Sequence, residues 1–215
     1  MNEYMFTKKQ LRYLKIKRIF DVFFAVFLLI ILSPIMLFTA ILVKTSSKGP
    51  VIFKQKRPGK NKKIFTILKF RSMKIETNKN DRDLHDFERV TFLGKILRKT
   101  SIDELPQLFN IIKGDMSFIG PRPFLINDLG SYTPEQEIRF EILPGITSWT
   151  AIHGRNTVSV QDKYNMEIYY AKNISLKLDI KIFFKTILVV LSAKNVVDNV
   201  NKPRIASKII DEEGK

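Results

Sequence analysis

One uncharged run near the start of the chain limits what this sequence can fold into. It extends from Val22 to Val43, 22 residues without a charged side chain, which is the length that an α-helix needs to cross the hydrocarbon core of a bilayer. A fully soluble fold is therefore disfavoured. A cleaved signal peptide would have a shorter apolar region and a small-residue cleavage site. The residues after Val43 offer no such site, so we expect the segment to stay in the mature protein.

The run contains a helix-breaking pair and has basic flanks. Pro34, in Ser33-Pro34, has no N–H for the carbonyl of Ile30 and its ring clashes with that carbonyl, so the helix is expected to bend or break there. The flanking cations are Lys8, Lys9, Arg12, Lys15, Lys17 and Arg18 before the run, and Lys44, Lys48, Lys54, Lys56 and Arg57 after it.

Short flanks rich in Lys and Arg stay on the cytoplasmic side of a membrane. A straight span would carry one of the two basic clusters across, whereas a helix that enters, breaks at Ser33-Pro34 and returns keeps both on one side. We predict this re-entrant form. A kinked single span is the alternative, because proline is tolerated in transmembrane helices whose neighbours satisfy the freed carbonyl.

The net charge restricts the partners. The chain carries 37 Lys and Arg against 21 Asp and Glu, a net charge of +16, which indicates an anionic partner such as nucleic acid, an anionic membrane surface or a phosphorylated small molecule. We expect no nucleic acid, because the lysines flank a membrane segment and form no basic stripe with stacking aromatics. The chain has no cysteine and only His85 and His153, which excludes thiolate chemistry, disulfides and multi-histidine zinc sites.

The remaining patterns predict an α+β fold that is mainly α-helical. Short β-branched and aromatic runs at 51–53 and 64–68 flank turn residues and predict a small hairpin. Helical patterns occupy 92–97 and 105–112. Residues 76–89 are mixed in charge and predict an exposed loop, in which Asp81, Asp83 and Asp86 are solvated and are not metal ligands.

A last helix is predicted between Leu178 and Leu191, with apolar residues at helical spacing on one face and Lys181 and Lys185 on another. The apolar residues are Ile180, Phe183, Phe184, Ile187, Leu188 and Leu191. This helix is either a core element or an amphipathic helix in the headgroup plane, and the pattern fits both.

We therefore divide the chain into four parts. Residues 1–18 form a basic interfacial segment, and residues 19–44 form the re-entrant membrane helix. Residues 45–200 form a compact helical catalytic domain on the cytoplasmic side, with interfacial amphipathic helices. Residues 201–215 form a flexible tail.

Two adjacent carboxylates, Asp103 and Glu104, are the strongest candidates for chemistry. Ser101-x-x-Glu104 also fits a capping box, which alone would place these residue types here. Pro106 favours Asp103 as the N-cap, because its missing N–H then falls where the helix needs none. At a helix N-terminus the free amides would keep Asp103 ionised, and an ionised Asp beside a Glu can hold a hard cation or act as a nucleophile.

Cations on rigid turns accompany this acidic pair. Arg122 stands in Gly120-Pro121-Arg122-Pro123, Arg155 stands in Gly154-Arg155-Asn156, and Lys69-Phe70-Arg71 alternates cations with an apolar residue. A planar guanidinium binds phosphate oxygens with two N–H groups when it is already positioned. Each turn alone is more often structural, but together, beside a membrane segment, they indicate diphosphate chemistry.

These motifs resemble the bacterial sugar transferase family, the monotopic polyprenyl-phosphate phosphoglycosyl transferases. The resemblance covers nearly the whole chain and agrees in order and spacing, and within the family it is greatest for the type that transfers a bacillosamine phosphate. Its motifs are Lys17-Arg18-Ile19-Phe20-Asp21, Ser33-Pro34, Gly49-Pro50-Val51-Ile52-Phe53, Lys69-Phe70-Arg71-Ser72-Met73, Asp103-Glu104-Leu105-Pro106-Gln107-Leu108, Gly120-Pro121-Arg122-Pro123, Pro144-Gly145-Ile146-Thr147 and Gly154-Arg155-Asn156.

The resemblance implies an enzyme of the bacterial cytoplasmic membrane, with its active site facing the cytoplasm. It would move a sugar-1-phosphate from a UDP-sugar to undecaprenyl phosphate and release UMP, as the first membrane step of glycoconjugate synthesis. Asp103 would be the nucleophile that forms a covalent phosphosugar intermediate, Glu104 its partner, and Mg²⁺ would be held by both. Anionic membrane lipids are further expected partners, and a homodimer is left open.

The same resemblance assigns the substrate-binding residues. Lys69, Arg98 and Arg122 match positions that line the phosphate site, and Arg155 matches the arginine of the turn near the nucleotide. Arg71 and Asn156, which stand in the same motifs, complete the predicted set.

The chain departs from the family pattern at Ser148, Ala151, His153 and Glu167, where relatives commonly have Gly, Gln, Asn and Asp. A positive φ at Ser148 would now carry a cost. If this loop reads the sugar or the uracil, the loss of the amide at Ala151 predicts altered donor preference. A catalytically impaired, membrane-anchored scaffold of a glycan-assembly complex is therefore the alternative function.

Overall fold

A computed structural model describes residues 6–74, 89–130, 132–153 and 158–192 of the chain. The predicted loop 76–89, except for its last residue, lies outside these ranges together with Asp81, Asp83 and Asp86. The same holds for the Gly154-Arg155-Asn156 turn and for the tail 201–215. The expectations for these segments stay predictions.

Within the described ranges the protein is mainly helical, with two small sheets. The helices and strands are α1 (Lys8–Ser46), β1 (Ile52–Pro58), β2 (Ile64–Phe70), α2 (Phe92–Thr100), α3 (Gln107–Lys113), β3 (Ser117–Ile119), β4 (Gly145–Thr147), α4 (Val160–Lys172) and α5 (Leu176–Ser192). β1 and β2 form an antiparallel hairpin, and β3 and β4 pair in parallel. The predicted α+β class, the hairpin and the helices at 92–97 and 105–112 are confirmed.

Local sequence sets several helix ends. The hydroxyls of Thr7, Thr91 and Ser159 accept backbone N–H groups in the first turns of α1, α2 and α4, and such caps satisfy donors that have no partner within the helix. Gly114, with a φ of 98°, ends α3 in the left-handed conformation, which glycine adopts without a steric cost.

α1 continues through Pro34, so of the predicted bend or break at Ser33-Pro34 the break is wrong and the bend stays a prediction. The reason lies in the residue before the proline. The hydroxyl of Ser33 donates to the carbonyl of Ile30 at 2.8 Å, and this is the carbonyl that Pro34 cannot serve. The re-entrant topology is a separate question and stays a prediction.

The apolar surface of α1 is largely uncovered by the rest of the chain. Only 17% of its most apolar 18-residue window is buried, and the mean hydropathy there is 2.9. Among the described residues, α1 is the one helix long and apolar enough to cross a membrane. A surface of this kind needs a lipid environment, which marks the chain as a membrane-associated protein.

The whole length of α1 is packed on the body of the protein. Its start packs on an apolar cluster around Tyr170, and its middle, at Ala25, belongs to a cluster that includes Met116. Its end, at Val43, belongs to a third cluster with Phe70. The two halves of α1, before and after Pro34, therefore contact the same body.

A buried polar network holds the start of α1. Lys17 Nζ lies 3.0 Å from Asp179 Oδ2 and 3.6 Å from Asp21 Oδ1. The hydroxyls of Tyr13 and Tyr170 donate to Asp179 at 2.7 and 2.8 Å. Burial, followed by the charge of Asp179, raises the pKa of Tyr170, which keeps this hydroxyl a donor. The network joins α1, α4 and α5.

Two neighbouring contacts extend this attachment to β3 and α3. Asp21 accepts the hydroxyl of Ser117 at 2.7 Å, and Arg18 donates to the carbonyls of Ile111 and Ile112 at 2.7 and 3.1 Å. These carbonyls lie in the last turn of α3, where a cation is favourable. Lys17 and Arg18, which the sequence places in the basic flank, are therefore bound within the protein.

α5 does not bury the apolar face that its sequence defines. The six apolar residues from Ile180 to Leu191 that recur at helical spacing are 41–77% exposed. Its buried residues are Leu178, Asp179 and Ile182. Of the two roles that the pattern left open, the core element is wrong for this face.

The buried network predicts the effect of removing its cation. Lys17→Met leaves Asp21 and Asp179 buried without a positive partner, which should lower the free energy of unfolding by about 3–5 kcal/mol. Lys15→Met changes an exposed lysine of the same helix and should change it little. Denaturation of both variants in detergent, followed by circular dichroism, compares them, and equal stability of the two variants would contradict the structural role.

Candidate active site

The acidic pair lies in a single 3₁₀ turn, Ile102–Glu104, between α2 and α3. Ser101, with a φ of 58°, ends α2 and reverses the chain. The turn is closed by the amides of Glu104 and Leu105, which donate to Ser101 and Ile102. α3 begins only at Gln107, so the prediction that Asp103 is its N-cap is wrong, because this separate turn comes before the helix.

Asp103 is buried, with 7% of its surface exposed. Burial, followed by the charge of the Glu104 carboxylate, raises its pKa to about 6, and the charges of Lys69 and Arg98 oppose this rise. Asp103 is therefore a weaker acid than an exposed aspartate, and the expected ionised state at neutral pH agrees with this pKa although Asp103 does not lie at a helix N-terminus. Desolvation outweighs the surrounding charges, since one short turn supplies only a small dipole.

Lys69 neutralises the second carboxylate. Its Nζ lies 2.6 Å from Glu104 Oε1. The position of Lys69 depends on Asn110 of α3, whose side chain accepts the Leu68 N–H at 3.1 Å and donates to the Thr66 carbonyl at 2.7 Å. The amide thus bonds the edge of β2 as a neighbouring strand would. Asn110 is not among the predicted site residues, because an asparagine inside a short helix carries no distinctive pattern.

Arg98 reaches the acidic pair from α2. Its Nε donates to Ser72 Oγ at 2.8 Å, and its charge acts on Asp103. Gly94, one turn earlier on α2, allows this approach, because a Cβ there would lie 1.9 Å from the Ser72 carbonyl oxygen. The structure therefore brings together four of the predicted site residues, which are Lys69, Arg98, Asp103 and Glu104.

Arg71 points to a different place. Its guanidinium is buried and donates to the carbonyls of Pro50, Val43 and Ser47 at 2.5, 3.1 and 2.6 Å. These acceptors lie at and after the end of α1, where carbonyls lack helical partners. The structure does not bring Arg71 to the acidic pair, contrary to the predicted substrate contact, and Arg71 instead fastens the end of α1 to β2.

Arg122 lies in the turn after β3 with an exposed side chain. Its backbone N–H donates to Glu167 Oε2 at 3.1 Å, and its carbonyl accepts from Arg139. Burial raises the pKa of Glu167, while Arg139, Thr150 and Arg122 lower it. The remaining predicted substrate residues, Arg155 and Asn156, lie outside the described ranges.

Of the departures from the family pattern, Ser148, Ala151 and Glu167 are buried and His153 is half-buried. Ser148 is 1% exposed and its hydroxyl accepts the Ala151 N–H at 3.0 Å. It is not among the described residues with positive φ, so the expected backbone cost does not arise. Ala151 is buried too, and His153 packs on Trp149 with ring centres 4.1 Å apart.

Asp103 and Glu104 could hold a hard cation. No group of three or more His, Cys, Asp or Glu side chains converges within the described ranges. Mg²⁺ is commonly bound by one or two carboxylates together with substrate phosphates and water. The pair therefore fits a cation site that is completed by a phosphorylated substrate.

The raised pKa predicts a pH-dependent effect of Asp103→Asn on stability. Between pH 3.8 and about 6, Asp103 binds more protons in the folded protein than in the unfolded chain. The free energy of unfolding therefore falls as the pH rises through this range, and the loss reaches about 3 kcal/mol above pH 6. Asp103→Asn should therefore stabilise the protein at about pH 8 and do so less at about pH 5. Asp162→Asn, at an exposed carboxylate of α4, is the control for melting curves at both pH values, and an equal effect of Asp103→Asn at both would contradict the burial argument.

Several known proteins are similar to this chain in sequence. A family described as bacterial sugar transferase matches residues 12–193. The chain is 45% identical over 181 residues to the uncharacterized sugar transferase EpsL of Bacillus subtilis, a match that covers 84% of this chain and 90% of that protein. It is 40% identical over 188 residues to the exopolysaccharide production protein ExoY of Sinorhizobium fredii, which covers 80% and 83%.

A further relative is named for its reaction. The chain is 42% identical over 192 residues to the UDP-N-acetylgalactosamine-undecaprenyl-phosphate N-acetylgalactosaminephosphotransferase of Aeromonas hydrophila. The match covers 84% of this chain but 44% of that protein, so the chain spans less than half of the longer relative. Because the family match extends over residues 12–193 and the Bacillus relative is matched over 90% of its length, the chain belongs to the bacterial sugar transferase family.

Proposed function

We propose that this protein is a phosphoglycosyl transferase that moves a sugar-1-phosphate from a UDP-sugar to undecaprenyl phosphate and releases UMP. The observation that carries the proposal is the buried Asp103 carboxylate. It lies beside a Glu104 that is bound by Lys69 at 2.6 Å, on a body packed along an apolar membrane helix. Relatives whose names describe undecaprenyl-phosphate phosphotransferases support this substrate class.

The proposed reaction has two displacements at one phosphorus. An oxygen of Asp103 attacks the phosphorus that bears the sugar, the bond from that phosphorus to the bridging oxygen breaks, and UMP leaves with that oxygen. A phosphate oxygen of undecaprenyl phosphate then attacks the same phosphorus. The bond to Asp103 breaks, the lipid diphosphate sugar leaves, and the carboxylate is restored. A pKa of about 6 leaves Asp103 mostly ionised at neutral pH, as the first step requires.

Charge repulsion is the main barrier, because a carboxylate approaches an anionic diphosphate. Lys69 and Arg98 lie at the acidic pair and offset this repulsion. The side chain of Arg122 is exposed, whereas that of Arg71 is buried and bonds carbonyls at the end of α1. When bound at Asp103 and Glu104, Mg²⁺ supplies further neutralisation of the diphosphate.

The contacts of α1 support the re-entrant topology. Asp21 bonds Ser117, and the Val43 carbonyl bonds Arg71, so both ends of the apolar run are fixed to one body. Contacts of both ends with one charged body favour a position of both ends on the same side of the membrane, as the re-entrant topology requires.

α5 supplies a second membrane contact. Its exposed apolar face includes Phe183, Phe184 and Leu188, and Lys181 and Lys185 lie on the same helix. This combination is typical of helices that lie in the headgroup plane of anionic lipids. The attachment would bring the acidic pair to the depth of the lipid phosphate.

Asp103→Asn should remove transfer while leaving membrane association intact, because the amide is a poor nucleophile. We expect a loss of UMP release of about a thousandfold or more in purified protein supplied with Mg²⁺, undecaprenyl phosphate and a UDP-sugar. Asp162→Asn serves as the control. Near-normal UMP release by Asp103→Asn would remove the nucleophile assignment.

The donor is tested with the unchanged protein. UDP-N,N′-diacetylbacillosamine is the first candidate because of the resemblance to the bacillosamine-phosphate type. UDP-N-acetylgalactosamine, UDP-galactose and UDP-glucose complete the panel because relatives are named for these sugars. UMP release with one of them supports the transferase, and no release with any would favour the scaffold alternative.

The topology is tested by cysteine labelling, since the chain has no cysteine of its own. Arg12→Cys and Lys48→Cys place single thiols at exposed positions on the two sides of the apolar run. With a membrane-impermeant maleimide added to intact spheroplasts, both should stay unlabelled, and both should react after permeabilisation. Labelling of only one of them from outside would show a spanning helix.

A further inference from the structure

The turn that carries Arg122 is held by two buried side chains of opposite charge. The Arg122 N–H donates to Glu167 Oε2 at 3.1 Å, and the Arg122 carbonyl accepts from the guanidinium of Arg139. Both backbone polar groups of one residue are thus bound by charged side chains, and such bonds are stronger than neutral ones. The side chain of Arg122 takes no part in these two bonds.

Neither charged residue has access to solvent. Glu167 is fully buried and Arg139 is 4% exposed. The guanidinium of Arg139 lies over the rings of Phe124 and Tyr132, at 4.1 and 5.4 Å from their centres. Buried charges carry a large desolvation cost, and apolar replacements often match a buried pair in stability. Their presence beneath an exposed arginine therefore calls for a role besides stability.

Glu167 also binds a second loop. Its Oε1 accepts the hydroxyl of Thr150 at 2.7 Å, and Thr150 is 2% exposed in the 3₁₀ turn Thr150–Ile152 that follows β4. One carboxylate of α4 thus connects the turn after β3 with the loop after β4. A change at Glu167 would release the Arg122 turn from this support.

We infer that Glu167 and Arg139 are positioning residues that hold the Arg122 peptide by its N–H and C=O, so that the exposed guanidinium is presented to the donor diphosphate in one direction. The inference rests on the proposed function, since it requires a nucleoside diphosphate as the ligand. A preorganised guanidinium binds two phosphate oxygens without first losing its freedom to rotate.

A double-mutant cycle with UDP as the probe tests this inference. Arg122→Ala removes the guanidinium but keeps the backbone groups that Glu167 and Arg139 bind. It should weaken UDP binding to the full chain in detergent with Mg²⁺ by about 10–100-fold, the range for a lost charge-assisted contact. Uridine, which has no phosphate, should bind Arg122→Ala and the unchanged protein equally in titration calorimetry.

Glu167→Gln should weaken UDP binding by about tenfold through the misplaced guanidinium. The double variant Glu167→Gln with Arg122→Ala should bind UDP no more weakly than Arg122→Ala alone, because the misplaced group is then absent. Glu167→Asp retains the charge and should restore part of the affinity. Asp162→Asn, on the same helix, is the matched control with unchanged affinity.

The outcomes separate the inference from the proposed function. If the two losses add in the double variant, Glu167 acts independently of Arg122 and the inference is overturned. If Arg122→Ala binds UDP normally, the inference is also overturned, whereas the transferase itself is judged by UMP release in Asp103→Asn. If Glu167→Gln does not fold, Arg139→Lys enters the same cycle with the same expected non-additivity.

Discussion

A lysine ammonium between two buried carboxylates is the contact on which the arrangement of this protein depends. Lys17 binds Asp179 at 3.0 Å and faces Asp21 at 3.6 Å, and Asp21 in turn bonds Ser117 at the start of β3. The membrane helix, the last helix and the strand before the Arg122 turn therefore meet at one charge. In an apolar surrounding each carboxylate needs this cation, so the body keeps one orientation relative to α1.

The candidate active site is assembled by a few contacts between neighbouring elements. Asn110 bonds the edge of β2 and thereby sets Lys69 beside Glu104, and Gly94 lets α2 approach closely enough for Arg98 to bond Ser72. The acidic turn lies between α2 and α3. The charged groups are thus held by contacts within the protein before a substrate arrives, which is the preorganisation that phosphoryl transfer requires.

Residue types with a local signature were predictable. The hairpin followed from β-branched and aromatic runs on either side of a turn, whereas the roles of the acidic pair and of Arg122 stay predictions. Arg71 was misassigned, because a guanidinium bound by carbonyls at a helix end looks the same in sequence as one that binds phosphate. The break at Pro34 was misjudged because the hydroxyl of Ser33 satisfies the Ile30 carbonyl. Glu167 was noted only as a departure, since its partners Arg122 and Arg139 are distant in sequence.

The sequence by itself determined that this chain has a long apolar segment with basic flanks, and that its chemistry must use carboxylates, hydroxyls, Lys and Arg. These properties follow from composition and from the order of neighbouring residues, which do not depend on the contacts that each segment makes in the fold. The tertiary structure decided which cations face the acidic pair and which bind carbonyls, and it decided that burial raises the pKa of Asp103 to about 6. Burial and long-range pairing arise only when distant segments pack together, because desolvation depends on everything that surrounds a group.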